Sequence, residues 1–178
     1  MTEARKDLTI IVGIGSRMRG DDSVGPYIID VLKDRMDTEG CPDGNPISLI
    51  DADAVPENYT RPIRESGAGT CILLDAVDIG LEPGVLRKIP KDLIDETIPC
   101  SHNLPLSYLM NYIGEKIDRV ELLGVQIQTT GLFQEMTPVV MEGGERLAEL
   151  LWTGEWKDIP EYRKGERRSD KEATNYCW

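Results

Sequence analysis

The sequence predicts an α/β fold, a twisted and mostly parallel sheet sandwiched between helices in a single domain. Three observations predict it. Short β-branched apolar runs alternate with helix-patterned segments, the 178-residue length suits one core, and two of the apolar runs end on an aspartate. Such alternation implies right-handed crossovers and a sheet covered on both faces.

Leu8–Val12 is apolar and β-branched, as a strand buried on both faces should be. A glycine-containing loop, Gly13 to Gly25, follows. Pro26 then suits the first turn of a helix, with Val24, Tyr27, Ile28, Val31 and Leu32 on one face. Strands are expected at Ile47–Ile50, ending in Asp51, and at Thr70–Leu74, ending in Asp75. Gly84–Ile89 reads as a shorter strand after the turn signal Glu82-Pro83-Gly84. Leu104–Lys116 reads as a helix, and Val120–Ile127 as a strand softened by Gly124. Thr137-Pro138 opens a helix that runs to about Trp152, weakened in its middle by Gly143-Gly144. The body is thus expected over 1–153, and 154–178 is a polar, charged tail, either disordered or docked through Trp156, Tyr162 and Trp178.

Twenty basic against thirty-two acidic residues give a net charge of −12. Such a surface is a poor partner for nucleic acid or anionic membrane, and points either to simple solubility or to a partner with a basic segment. No apolar run approaches the ~18 residues of a membrane span, and the first residues lack an apolar signal region, so the expected compartment is the cytoplasm. The four cysteines (Cys41, Cys71, Cys100, Cys177) form no Cys-x-x-Cys pair and read as free thiols. Cys100 precedes His102 by two residues, but an extended chain would leave their Cα atoms roughly 6.6 Å apart, too far for a thiol–imidazole pair without a turn.

In open parallel sheets, function gathers outside the carboxyl ends of the strands. The Gly13–Gly25 loop, Asp51 and Asp75 belong there, and the loop before the Leu104 helix brings His102, the chain's one histidine. A dinucleotide fingerprint fails, because Met18 replaces its third glycine and Asp21 and Asp22 would repel a phosphate. Asp21 and Asp22 suit helix capping, which needs only one of them and leaves the other free for a metal. Asp75 reads either as a turn residue or as a ligand, and His102 as a surface histidine or a ligand. The lack of a His-Glu-x-x-His helix excludes a zinc peptidase of that kind, and the lack of a Gly-x-Ser-x-Gly elbow argues against a Ser-His-Asp hydrolase. Spacing alone reaches a possible metal site.

The run from Gly13 through Gly15, Asp21, Asp22 and Gly25 to Pro26 resembles the N-terminal signature of the hydrogenase maturation endopeptidases. Leu73 to Gly84 resembles that family's second block, and Ser101 to Leu109 its third, with His102 in place. Ala54 to Asn58 and Gly124-Val125-Gln126 are weaker matches, and together these span about residues 8 to 151. Ser16 stands for the usual Asn and Ser23 for a common Gly.

The resemblance implies that Asp22, Asp75 and His102 are both the metal ligands and the catalytic set. It implies one cut near the C-terminus of a nickel-iron hydrogenase large-subunit precursor, after nickel insertion. Nickel would then arrive with the precursor instead of residing on the enzyme, and no further cofactor is expected. Asp51 and Asp78 are expected to support the ligands. The expected partner is the precursor; the sequence does not fix the oligomeric state, and a monomer is favoured. The competing readings are a non-catalytic nickel-checking assembly factor, a nucleotide-binding domain, and a metal-independent peptidase.

Overall fold

The computed structural model describes residues 5–42, 44–97 and 105–166. Its sheet has five strands in the order β2-β1-β3-β5-β4. Strands β1 (Arg5–Ile14), β2 (Ile47–Asp53), β3 (Ala68–Val77) and β5 (Arg119–Gln126) are parallel, and β4 (Leu86–Lys88) runs antiparallel to β5. The α/β reading is borne out, with β1, β2 and β3 longer than the apolar runs that announce them and β4 shorter than the expected Gly84–Ile89. Asp75 lies inside β3, two residues before its end, and Asp51 lies two residues before the end of β2.

Period-two alternation sends the side chains of the central strands to opposite faces. Ile10, Val12, Cys71 and Leu73 enter one buried cluster, with Leu109 and Ile113 of α4 (Leu106–Gly114) and Ile63 of α2 (Thr60–Glu65). Ile11, Ile72 and Leu74 enter the other, with Ile28 and Leu32 of α1 (Val24–Glu39) and Leu147 and Leu151 of α5 (Pro138–Thr153). Between α2 and α4 in the chain lies one further short helix, α3 (Ile94–Thr97).

The two glycines of α5 have a packing role. A Cβ on Gly143 would stand 2.5 Å from the carbonyl oxygen of Gly84, so the helix backbone rests directly on the β3–β4 connection. Arg146, one turn on, donates to the same carbonyl at 2.9 Å. The expected weak point of the helix is therefore a site of close approach.

Part of the C-terminal segment lies against the body. Trp156 and Ile159 are buried in the α1/α5 cluster. The Lys88 N–H donates to the Pro160 carbonyl at 3.0 Å, and the Lys88 carbonyl accepts from the Tyr162 N–H at 2.8 Å. Arg87, itself buried, pairs with Glu166. The expected contribution of Trp178 lies outside the described residues. Among the described residues, no helix is long and apolar enough to cross a membrane.

Candidate active site

Strand β1 hands over to α1 through a loop whose backbone leaves no room for side chains. A Cβ on Gly15, at φ +135°, would fall 1.8 Å from the Asp22 carbonyl oxygen. One on Gly25 would meet Ile14 and the Leu74 carbonyl, at 2.2 and 2.8 Å. The loop is thereby folded back on the carboxyl ends of β1 and β3, and its 3-10 turn Gly20–Ser23 packs against β3.

The two adjacent aspartates of that turn are both buried, and they do different things. Asp21 accepts four hydrogen bonds from one distant loop. Gln128 N–H and Thr129 N–H reach Oδ2 at 2.8 and 2.9 Å, and Thr137 N–H and hydroxyl reach Oδ1 at 2.7 and 2.9 Å. Its backbone N–H also donates to the Thr129 carbonyl at 3.0 Å. Asp22 turns the other way and accepts the Ser16 N–H on Oδ2 at 2.8 Å. Neither carboxylate caps α1, whose N-cap is Ser23 and has no side-chain cap bond. The expected division between a capping and a free aspartate is corrected: Asp21 fastens two loops together, and Asp22 is bound within its own loop.

Asp75 stands on β3 directly opposite Gly124 of β5 and is 1% exposed. Its Oδ1 accepts the Ala76 N–H at 2.8 Å, the local bond expected of it, made here within a strand. Two buried carboxylates thus come from neighbouring segments at one end of the sheet. His102 and Cys100 lie outside the described residues, and among the described residues no three His, Cys, Asp or Glu side chains gather as a metal site would.

The residues expected to support the ligands are engaged elsewhere. Asp51 pairs with Arg17 at 2.7 Å, and Arg17 also grips both carboxylate oxygens of Asp30, at 2.6 and 3.0 Å. Burial alone would raise the Asp51 carboxyl, but the Arg17 guanidinium and the Asp53 N–H outweigh it and hold it below the ordinary range. Asp78 accepts from Gln126 Nε2 at 3.2 Å. Gln126 itself is buried and has partners at both ends of its amide. Its Oε1 accepts the Ile79 and Leu81 N–H groups, and its Nε2 also donates to the Ile127 carbonyl. It fixes the loop that leaves β3 just beyond Asp75.

The structure alone shows the task of Gln126, which the sequence marked only as a weak match, and the tie of the Gln128–Thr129 segment and Thr137 to Asp21. A separate groove of about 640 Å³ runs beside β4 and α5, lined among others by Leu86, Val139, Leu150 and Ile159, and none of the described candidate residues lines it.

Comparison with known proteins gives this geometry a family. The family model described as HycI, hydrogenase maturation protease, matches residues 26–153. The hydrogenase 3 maturation protease of Escherichia coli K12 is 32% identical over 148 residues, covering 82% of this chain and 90% of that protein. Among solved structures, the endopeptidase HycI from Escherichia coli superposes with a TM-score of 0.71 at 30% identity, covering 94% of this chain and 99% of that one. The [NiFe] hydrogenase maturation protease HycI from Thermococcus kodakarensis gives 0.69 at 29% identity, covering 84% and 93%. The chain belongs to the hydrogenase maturation protease family and is, as a member, a hydrolase of peptide bonds.

Proposed function

We propose that this protease removes the C-terminal extension of a nickel-iron hydrogenase large-subunit precursor that already carries nickel, and that Asp22, Asp75 and His102 read the metal. The observation that carries the reading is the pair of buried carboxylates, Asp22 at 4% and Asp75 at 1% exposure, at the carboxyl end of the sheet of a hydrogenase maturation protease. Burying a carboxylate is costly unless something compensates its charge, and a cation brought by the substrate would do so. Two carboxylates and an imidazole suit nickel as donors and leave coordination positions for ligands of the precursor.

Nickel belongs to the substrate in this scheme. A precursor without metal offers nothing for the three residues to share, so metal loading becomes the recognition element. The Ser16 N–H holds one Asp22 oxygen in place, and the Ala76 N–H does the same for Asp75. A carboxylate has more acceptor positions than the one bond Asp22 is seen to make, either for the metal or for taking a proton from the attacking water.

The test is intact mass. Nickel-loaded and nickel-free precursors are incubated with the wild-type protein and with Asp22→Asn, Asp75→Asn and His102→Ala. The expected result is loss of a C-terminal fragment from the loaded precursor alone, abolished in each variant. Shortening of both precursors would overturn the nickel reading. Nickel-dependent binding without any shortening would instead favour a nickel-checking assembly factor.

A further inference from the structure

Phe133 is the most exposed large apolar side chain among the described residues, at 75%, and its backbone sits at φ +57°. A bulky residue seldom adopts that conformation, and it persists only where the surroundings impose it. Here they do. The Phe133 N–H donates to the Met18 carbonyl at 2.7 Å, and Gly20 N–H donates to the Gln134 carbonyl at 3.1 Å. The Asp21 carboxylate holds Gln128, Thr129 and Thr137 on either side of the loop tip.

The consequence is a presented apolar surface. Leu132 is 57% exposed and Met18 is 53% exposed. Met18 lies on the same loop as Asp22, four residues before it. In a chain of net charge −12, three uncharged, large and solvent-facing side chains are thus carried on two loops bonded to each other, one of them the loop that bears Asp22. Exposed apolar groups held together in this way mark a binding surface. A protease requires a polypeptide occupant, and the surface continues directly from the loop that carries Asp22.

We infer that Met18, Leu132 and Phe133 form a platform that seats large aliphatic or aromatic side chains of the protein substrate, in the segment next to the bond that is cut. Asp21 is its positioning residue. The inference rests on the function proposed above for the identity of that substrate.

The variant Phe133→Gly tests it, because glycine is at ease at φ +57° and the fold keeps or gains thermal stability while the aromatic ring is lost. With the nickel-loaded precursor as probe, KM is expected to rise about tenfold with kcat changed less than about twofold, the pattern of lost binding. Met18→Ser is expected to shift KM in the same direction. An unchanged KM in both variants, with the wild-type protein cutting the precursor normally, overturns the platform and leaves the proposed function standing. Wild-type protein that is a dimer in sedimentation, and becomes monomeric in Phe133→Gly without a change in KM, overturns it in favour of self-contact. Wild-type protein that neither cuts nor binds the precursor overturns both readings.

Discussion

The carboxylate of Asp21 accepts both the backbone N–H and the hydroxyl of Thr137, at 2.7 and 2.9 Å. Thr137 is the N-cap of α5, yet its hydroxyl makes no cap bond within its own helix. It is given instead to a carboxylate 116 residues earlier in the chain. The negative charge then lies at the positive end of the α5 dipole, where it is favoured. The loop before α1 and the loop before α5 are joined at this point.

Asp21→Asn is therefore expected to destabilise strongly. An amide would direct its NH₂ donor at N–H groups that need an acceptor, leaving at least one buried donor unmatched. The expected loss is about 3 kcal/mol in urea unfolding, the scale of a broken charged buried network. Asp22→Asn retains an oxygen for the Ser16 N–H and should cost under about 1 kcal/mol. Equal losses in the two variants would show that the adjacent aspartates share one role.

Glu166 gives a pH prediction. The Arg87 hydrogen bond holds the Glu166 carboxyl below its ordinary value of 4.5, against the opposing effect of burial. A depressed carboxyl contributes stability above its unfolded value, and that contribution is lost as pH falls through the folded one. Between pH 6 and pH 3, wild-type protein should lose on the order of 1 kcal/mol more than Glu166→Gln. Parallel pH profiles of urea midpoints would show that the pair contributes nothing to folding.

Cysteine reactivity should divide the chain. Burial pushes the Cys71 thiol up to about 12, whereas Cys41 is exposed. Only thiolate reacts, so at pH 8 a maleimide should label Cys41 within minutes and spare Cys71 until the protein is unfolded. Peptide mapping by mass reads this directly, and early labelling of Cys71 would mean that the core around β3 opens readily.

The adjacent glycines of α5 should respond differently to alanine. Helix propensity alone favours both substitutions by about 1 kcal/mol. At Gly143 the new methyl meets a backbone carbonyl at 2.5 Å, which cannot turn aside, and the variant should lose about 2 kcal/mol. At Gly144 the nearest atoms are side-chain carbons of Val24, Tyr27 and Ile28 at 3.2 to 3.4 Å, which can give, and the change should be near zero. A melting temperature raised by Gly143→Ala would refute the close approach.

These contrasts mark what a one-dimensional reading captures. Strand β1 and helix α1 were legible because their signals are local, a β-branched run and a proline placed for a first turn. The short helix α2 was not, since Thr60–Glu65 contains Pro62, three charged residues and a single buried side chain, Ile63. Nor was the antiparallel direction of β4, which depends on its partner β5 more than thirty residues later. At the candidate site, Asp22 and Asp75 stood out through their neighbours in sequence. The task of Asp21 could not, because its four donors come from residues 128 to 137 and exist only after folding. The same holds for Asp51, whose partner Arg17 lies 34 positions away.

The contact of Lys88 with Pro160 and Tyr162 has one further consequence. An outermost strand with free amide and carbonyl groups is a template onto which any stretched chain can zip, another copy of the same protein included. Here the chain lays its own later residues along that rim at Lys88, so the position is taken before a stranger arrives. For a protease, whose substrates are themselves polypeptides, this matters twice. It removes a decoy that would draw substrate away from the cutting face, and it removes a seed for fibrous growth. A version of the chain ending before Pro160 would acquire both liabilities at once, while the candidate carboxylates Asp22 and Asp75, held by bonds within their own segments, stayed where they are.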